Sequence, residues 1–258
     1  MASERGTSLR RALSLLASLG ADDAISAGGL GVTRLAELVH ADKSQVSRTL
    51  RTLNETGFVE RDADTLLYRL GWRMFLLAGR AGDRRLVDAA PPVLLHLVAE
   101  LGERSHLSVL QGVDVLTVLT ESPPHALQTV AWVGRTAPVH CTSSGRSLLM
   151  DAERTELEAL LADYDFGGGG PNAPDGVAAL HERITAARLS GYAVVDEELE
   201  PGVVAVSAPV RDAGGRVVAA VNVSAPKFRM GERLTQAGEC VKQAAESLSR
   251  KLGWSGAP

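Results

Sequence analysis

Near the start of the chain, apolar residues recur at helical spacing. Leu9, Ala12, Leu13, Leu16 and Leu19 fall at i, i+3, i+4, i+7 and i+10 of one stripe, with Arg10 and Arg11 off it, so the spacing predicts an amphipathic helix. Gly28, Gly29 and Gly31 interrupt the pattern, and Gly20 to Gly31 reads as a loop. Val32, Leu35, Ala36 and Val39 form a second helical face, followed by a short break at His40-Ala41-Asp42. A third helix is expected from about Lys43 to Thr56, with Val46, Leu50 and Leu53 turned inward. Asp42 with Gln45 three residues on has the pattern of a capping box. After Gly57, Phe58-Val59, the polar turn Asp62-Ala63-Asp64 and the stretch Leu67 to Leu70 read as a small hairpin. Three helices and a hairpin in this order make a winged helix-turn-helix over residues 1–70.

The third helix leaves Ser44, Gln45, Ser47, Arg48 and Arg51 on its outer face, with Lys43 at its start. Such a face donates hydrogen bonds to base edges and phosphates. Arg10 and Arg11 on the first helix, with Arg61 and Arg69 on the wing, are placed to meet phosphates. Residues 71–83 read as a linker helix with Trp72, Phe75, Leu76 and Gly79 on one face. That stripe needs a cover, and a second copy of the chain is preferred over the winged helix itself, because helix-turn-helix proteins read paired half-sites.

From residue 84 onward the pattern changes. A helix continues through Leu94 to Leu101, after Pro91-Pro92. Ser105 to Gln111 and Val113 to Thr120 alternate or run apolar around Gly112 and read as a hairpin. Leu127 to Val133 is a further expected strand, and strand-like Ala137 to His140 leads into a helix. Leu148 to Leu161 and Gly176 to Ser190 read as helices, separated by a flexible loop with Gly167 to Gly170 in a row. Val203 to Val210 and Arg216 to Ser224 are strands about the turn Asp212 to Gly215, and a last helix runs from about Gly231 to Leu252. Antiparallel hairpins flanked by long helices make residues 84–258 an α+β domain.

Composition adds boundaries. The 258 residues suit two domains, and 45% apolar with 22% charged content is ordinary for a globular protein, while 4% aromatics leave the core to Leu, Val and Ala. No apolar run is long enough to cross a bilayer, the N-terminus lacks a signal-peptide pattern, and Cys141 and Cys240 form neither a disulfide framework nor a zinc pair. These features point to a reduced cytoplasmic protein with no membrane partner. Net charge is −4, yet residues 1–80 hold eleven Lys and Arg against nine Asp and Glu, a net of +2 that leaves −6 for the rest. Overall charge therefore does not decide against a nucleic-acid partner.

The chain resembles the IclR family of transcriptional regulators in SLRRALSLLASLG, GVTRLAELVHADKSQVSRTLRTLNETGFVERD, YRLG, APVHCTSSGRSLL and GYAVVDEELEPGVVAVSAPVRDAGGRVVAAVNVSAP. The resemblance implies a GAF-like effector domain, assembly as a homodimer or a dimer of dimers, and a metabolite that changes binding to double-stranded operator DNA. His40-Ala41-Asp42 departs from the Gly-Leu-Pro type of turn common in the family, so the operator does not carry over.

Residues and resemblance meet at Cys141-Thr142-Ser143-Ser144-Gly145-Arg146, where a strand leads into a helix. Free N–H groups of a first helical turn with two serines and a glycine suit a carboxylate, although Thr142, Ser143 or Ser144 could equally cap the helix. Asn222 and Ser224 lie two apart on a strand and interrupt an apolar run, which is unusual for an amide without a partner. The family alignment puts Ser143, Ser144, Asn222 and Ser224 in the effector pocket, together with Val195 and Ala205, where members that bind small oxoacids tend to carry Asp and Cys. The expected effector thus has an anionic or hydrogen-bonding end and an apolar or aromatic body, and Trp132 could stack on it or simply pack.

No catalytic role is expected. Adjacent strand residues point to opposite faces, so His140 could not easily reach the Cys141 thiol. The acidic run Asp196-Glu197-Glu198 has no His or Cys at ligand spacing and reads as a solvated loop, with the family implying a structural or pocket-edge role that puts Asp196 among the candidate ligand residues. No cofactor or metal is called for, and no P-loop, GxSxG or HExxH is present. The alternatives are a winged-helix module for RNA or protein and, behind that, an enzyme.

Overall fold

Only part of the first apolar stripe faces the core of its helix packing. In α1 (Ala2–Leu19), Leu15 and Leu19 are buried and Leu16 is half-buried, whereas Leu9 and Leu13 are exposed. At 3.6 residues per turn, a contact centred on Leu15 and Leu19 turns Leu9 and Leu13 well away from it. The computed structural model describes residues 2–78, 83–123 and 132–256. The chain divides into two units, Met1–Arg84 and Arg85–Pro258.

In the first unit, a short helix α2 (Asp22–Ser26) occupies part of the segment expected as loop. α3 (Val32–Leu38) and α4 (Lys43–Glu55) follow, joined by a turn in which His40 takes a positive φ of 47°. Asp42 has the extended backbone of an N-cap, but its side chain makes no cap hydrogen bond, so the expected capping box does not form. Instead the Gln45 N–H donates to the Asp42 carbonyl. The wing is the antiparallel pair β1 (Val59–Arg61) and β2 (Tyr68–Leu70), with Val59 opposite Leu70. Asp62 closes its turn by accepting from the Thr65 N–H at 2.8 Å and the Thr65 hydroxyl at 2.9 Å. Leu15, Leu19, Leu35, Val46, Leu50, Val59 and Tyr68 make the core of this unit. α5 (Trp72–Ala78) exposes Trp72, Phe75 and Leu76. The expected linker helix is observed to Ala78, and Gly79 with residues 80–82 lies outside the described residues.

The second unit opens with α6 (Arg84–Ala89) and α7 (Pro91–Leu101), the latter ended by Gly102 in the left-handed region. Among the described residues its sheet has six strands, all antiparallel: β3 (Arg104–Gln111), β4 (Asp114–Glu121), β5 (Thr136–Pro138), β6 (Ala193–Asp196), β7 (Val203–Arg211) and β8 (Val217–Pro226), in the order β5-β4-β3-β8-β7-β6. Alternation along the strands sends residues to two faces. Leu107, Val204, Val206, Val221 and Val223 pack with α7 and with the terminal helix α12 (Leu234–Lys251), through Leu94, Leu97, Val241 and Leu248. On the other face, Val115 and Ala220 meet α8 (Ser143–Leu148), α9 (Arg154–Leu160) and α10 (Val177–Ser190) through Leu148, Leu157, Leu180 and Ile184.

Several expectations change here. The single helix expected over Leu148 to Leu161 is two: α8 ends at Leu148, and Glu153 starts α9 with a reciprocal capping box to Glu156. β6, α6 and the four-residue α11 (Lys227–Met230) were not expected, and the last helix begins as a 3-10 turn at Gly231–Arg233. The strand expected over Leu127 to Val133 falls mostly on residues 124–131, outside the described residues, and Val133 lies in a turn.

Candidate functional site

On α4, Val46 and Leu50 are buried and Leu53 is half-buried. That fixes the rotation of the helix and leaves Lys43, Ser44, Arg48 and Arg51 exposed, with Gln45 and Ser47 half-exposed. α1 brings Arg11 beside the start of α4, where Arg11, Thr33, His40, Lys43 and Gln45 line one shallow cleft. Arg10 is exposed on the same helix. On the wing, Arg69 is ion-paired with Glu60 at 3.1 Å across the hairpin, and Arg61 stands over the Tyr68 ring at 5.4 Å. Both wing arginines are thus held by internal partners, while Arg48 and Arg51 are exposed on α4.

In the second unit, the sheet face toward α8 opens into a cavity of about 850 Å³. Cross-strand register builds its wall: Val195 lies opposite Ala205, Ala205 opposite Ser224, and Ser224 opposite Arg104. In the next row Asn222 stands opposite His106. Ser143 and Ser144 enter from the start of α8, and Trp132, Leu199, Val203 and Pro226 add apolar surface. Asn222 Nδ2 donates to Ser143 Oγ at 2.7 Å, which gives the buried amide the partner it needs. The Thr142 hydroxyl caps α8 by accepting from the Gly145 N–H at 3.1 Å.

Of the expected ligand residues, Trp132, Ser143, Ser144, Val195, Ala205, Asn222 and Ser224 come together on this cavity. Cys141, Gly145 and Asp196 are not on its wall. The Cys141 thiol is fully buried, points toward the Pro138 carbonyl and is pushed up to about 11 by burial. Gly145 lies so close to the bend after β5 that a Cβ there would stand 2.0 Å from the Val139 carbonyl oxygen, so glycine is required for packing. Asp196 is ion-paired with Lys227 at 2.8 Å.

The acidic run is also not simply solvated. Glu198 is buried between Arg146 and Arg183, and Arg146 donates a second bond to the Val194 carbonyl at 2.7 Å. Burial lowers Arg146 to about 9, still cationic at neutral pH. This cluster anchors the end of β6 to α8 and so holds two walls of the cavity together. His140 is engaged elsewhere: its Nδ1 bonds the Tyr164 hydroxyl at 2.8 Å and its ring packs edge-on against Tyr164 and Phe166.

Sequence reasoning missed Arg104, His106, Ser108 and Thr117 on the cavity wall. The signal was present, because Arg104, His106 and Ser108 alternate with Ser105, Leu107 and Val109. A polar alternate face on a strand normally faces water, and here it faces a cavity. His106 is 6% exposed, with Nδ1 at 2.9 Å from Thr120 Oγ1 and Nε2 at 3.2 Å from Ser224 Oγ. Burial, with the Arg104 charge, lowers it to about 4, so the ring is neutral.

The IclR helix-turn-helix domain matches residues 8–63, and the domain described as bacterial transcriptional regulator IclR C-terminal matches residues 80–250. The HTH-type transcriptional regulator BhcR of Paracoccus denitrificans is 32% identical over 225 residues, covering 86% of this chain and 80% of that protein. The HTH-type transcriptional regulator XynR of Escherichia coli is 31% identical over 230 residues, covering 87% and 90%. Among solved structures, an IclR homologue from Microbacterium hydrocarbonoxydans complexed with 4-hydroxybenzoate superposes with a TM-score of 0.78 at 25% identity, covering 95% of this chain and 98% of that one.

Proposed function

The chain belongs to the IclR family of bacterial transcriptional regulators, and on that premise we propose that it binds operator DNA with an affinity set by a small organic-acid or aromatic effector. The observation that carries this reading is the 850 Å³ cavity, whose size suits a small molecule and whose wall combines Trp132, Val195 and Ala205 with Ser143, Asn222 and Ser224. The structural relative bound to 4-hydroxybenzoate supports the same class. α4 enters the major groove with Ser44, Gln45, Ser47, Arg48 and Arg51 toward the bases, and Arg10, Arg11 and Lys43 meet phosphates. Arg61 and Arg69 reach phosphates only by leaving their internal partners.

The protein acts as a homodimer or a dimer of dimers. Leu9 and Leu13 on α1, with Trp72, Phe75 and Leu76 on α5, leave apolar surface exposed on a single chain, and a second copy bound to a paired half-site covers it. Ligand in the cavity shifts the population of effector-unit conformations and thereby operator affinity.

The test is selection of genomic fragments by the purified full chain, with Arg48→Ala as control and with 4-hydroxybenzoate added in parallel. Recovery of a palindromic site that the variant loses, with retention altered by the acid, is the expected result. A variant that loses one good base contact should bind that site roughly 10- to 100-fold more weakly. Failure to enrich duplex DNA, with retention of RNA or protein instead, would place the winged helix in the other class.

A further inference from the structure

The turn that ends α3 is closed by backbone groups alone. The Val39 N–H donates to the Leu35 carbonyl at 3.1 Å, the His40 N–H to the Glu37 carbonyl at 3.3 Å and the Ala41 N–H to the Ala36 carbonyl at 3.1 Å. This pairing closes a helix whose next residue is left-handed, and His40 is that residue, at a φ of 47°. Glycine adopts the conformation with no Cβ penalty and is its usual occupant. The closure therefore gains nothing from an imidazole. The rest of the fold does not use the ring either: His40 is exposed, and among the described residues its side chain has no hydrogen bond, ion pair or ring contact.

Its surroundings say what the ring could serve. His40 shares one shallow cleft with Arg11, Thr33, Lys43 and Gln45, so it opens on the same side of the unit as the first residues of α4. Glu37 and Asp42 line that cleft too, but Glu37 is ion-paired with Arg34 at 3.2 Å. Arg11 and Lys43 then outnumber the one carboxylate left, that of Asp42. In a helix-turn-helix the second helix lies in the major groove while the first crosses the sugar-phosphate backbone. The turn that joins α3 to α4 is accordingly where a backbone phosphate passes. An imidazole has an N–H to donate in either protonation state, and phosphate oxygens accept such bonds.

We propose that His40 is a further DNA-contact residue, donating to a backbone phosphate that Arg11 and Lys43 attract into this cleft. The assignment rests on the DNA reading of α4. The contact reads no base: it holds the register of α4 on the duplex and leaves the choice of sequence to the residues inside the groove. A histidine in the left-handed region is then a local cost to the free protein, of the kind that gathers at functional positions, and is offset when DNA is bound.

The test pairs thermal melts with anisotropy titrations of the full chain carrying His40→Gly or His40→Asn. Two duplexes serve as probes: the fragment recovered by genomic selection and a mixed-sequence duplex of equal length. Glycine relaxes a left-handed position and asparagine tolerates it, so both variants should melt at or above the wild type. His40→Gly should nevertheless bind both duplexes roughly tenfold more weakly, the loss of one hydrogen bond to a charged group, with the ratio between them unchanged. His40→Asn, whose shorter amide still donates, should fall between. Arg48→Ala, by contrast, should shrink the ratio. Unchanged affinity for both duplexes in His40→Gly overturns the proposal and leaves the DNA reading standing, and so does a loss confined to the selected fragment. Midpoints below the wild type in both variants overturn it as well, returning His40 to a role in the turn. A wild-type chain that retains neither duplex overturns the DNA reading itself, and the contact with it.

Discussion

Replacing His106 with Gln isolates the cost of keeping an imidazole neutral inside the effector unit. The ring is bonded to Thr120 and Ser224, and burial with the Arg104 charge lowers its pKa from 6.5 to about 4. In the unfolded chain it titrates near 6.5, so between these values the unfolded state binds a proton that the folded state does not. Stability therefore rises with pH through this window and is lost as the solution is acidified from about 6.5 toward 4. The gap is worth about 3 kcal/mol at its limit, and roughly 2 kcal/mol of it is already lost near pH 4.5.

Gln keeps a donor and an acceptor for the two hydroxyls and does not titrate. The assay is urea unfolding of wild type and variant, read on the transition of the C-terminal unit at neutral pH and near pH 4.5. Subtracting variant from wild type at each pH cancels the groups common to both, including His140, which burial also lowers. The difference should move by roughly 2 kcal/mol in favour of the variant on acidification. An equal difference at the two pH values would refute the reasoning, because it would mean that the ring protonates in the fold as readily as outside it.

Other consequences concern packing and charge. Leu50→Ala, at a fully buried position of α4, should cost about 2–5 kcal/mol and abolish DNA retention by unfolding the first unit, which circular dichroism would register. Gly145→Ala, forced against the Val139 carbonyl, should destabilise by at least the roughly 1–3 kcal/mol of an overpacked core while leaving the rank order of cavity ligands unchanged. Glu198→Gln strands the buried Arg146 charge and should cost about 3–5 kcal/mol. Adding Arg146→Met should recover much of that loss in the same thermal melts.

The helix-turn-helix was readable because its signal is local. Val46 and Leu50 fix which face of α4 is buried, and the polar residues between them are then exposed by geometry alone. The same logic over-reached in α1, where Leu9 and Leu13 share the apolar spacing but not the core, because the five apolar positions spread over a wide arc of the helix and their spacing cannot say which part of that arc meets the neighbouring helices. The break between α8 and α9 was missed for a related reason: apolar Leu148, Leu149 and Leu157 suit one long helix, and only the reciprocal bonds of Glu153 and Glu156 start a second one.

The cavity was half readable, and the divide follows chemistry. Asn222 stood out because a lone amide in an apolar strand demands a partner, and Ser143 supplies it across 79 positions of sequence. Arg104 and His106 raised no such demand, since polar residues alternating on a strand are what a solvent-facing edge looks like. What makes them interior is the position of β3 in the middle of the sheet, between β4 and β8, a fact of long-range pairing. The same holds for Glu198, whose acidic run looked solvated until α8 and α10 brought Arg146 and Arg183 to it. Polar residues on central strands are therefore the place to look for a recognition site when sheet order becomes known. Once buried they must be bonded, and hydroxyl and imidazole partners such as Thr120, His106 and Ser224 leave one hydrogen-bonding direction open to a ligand.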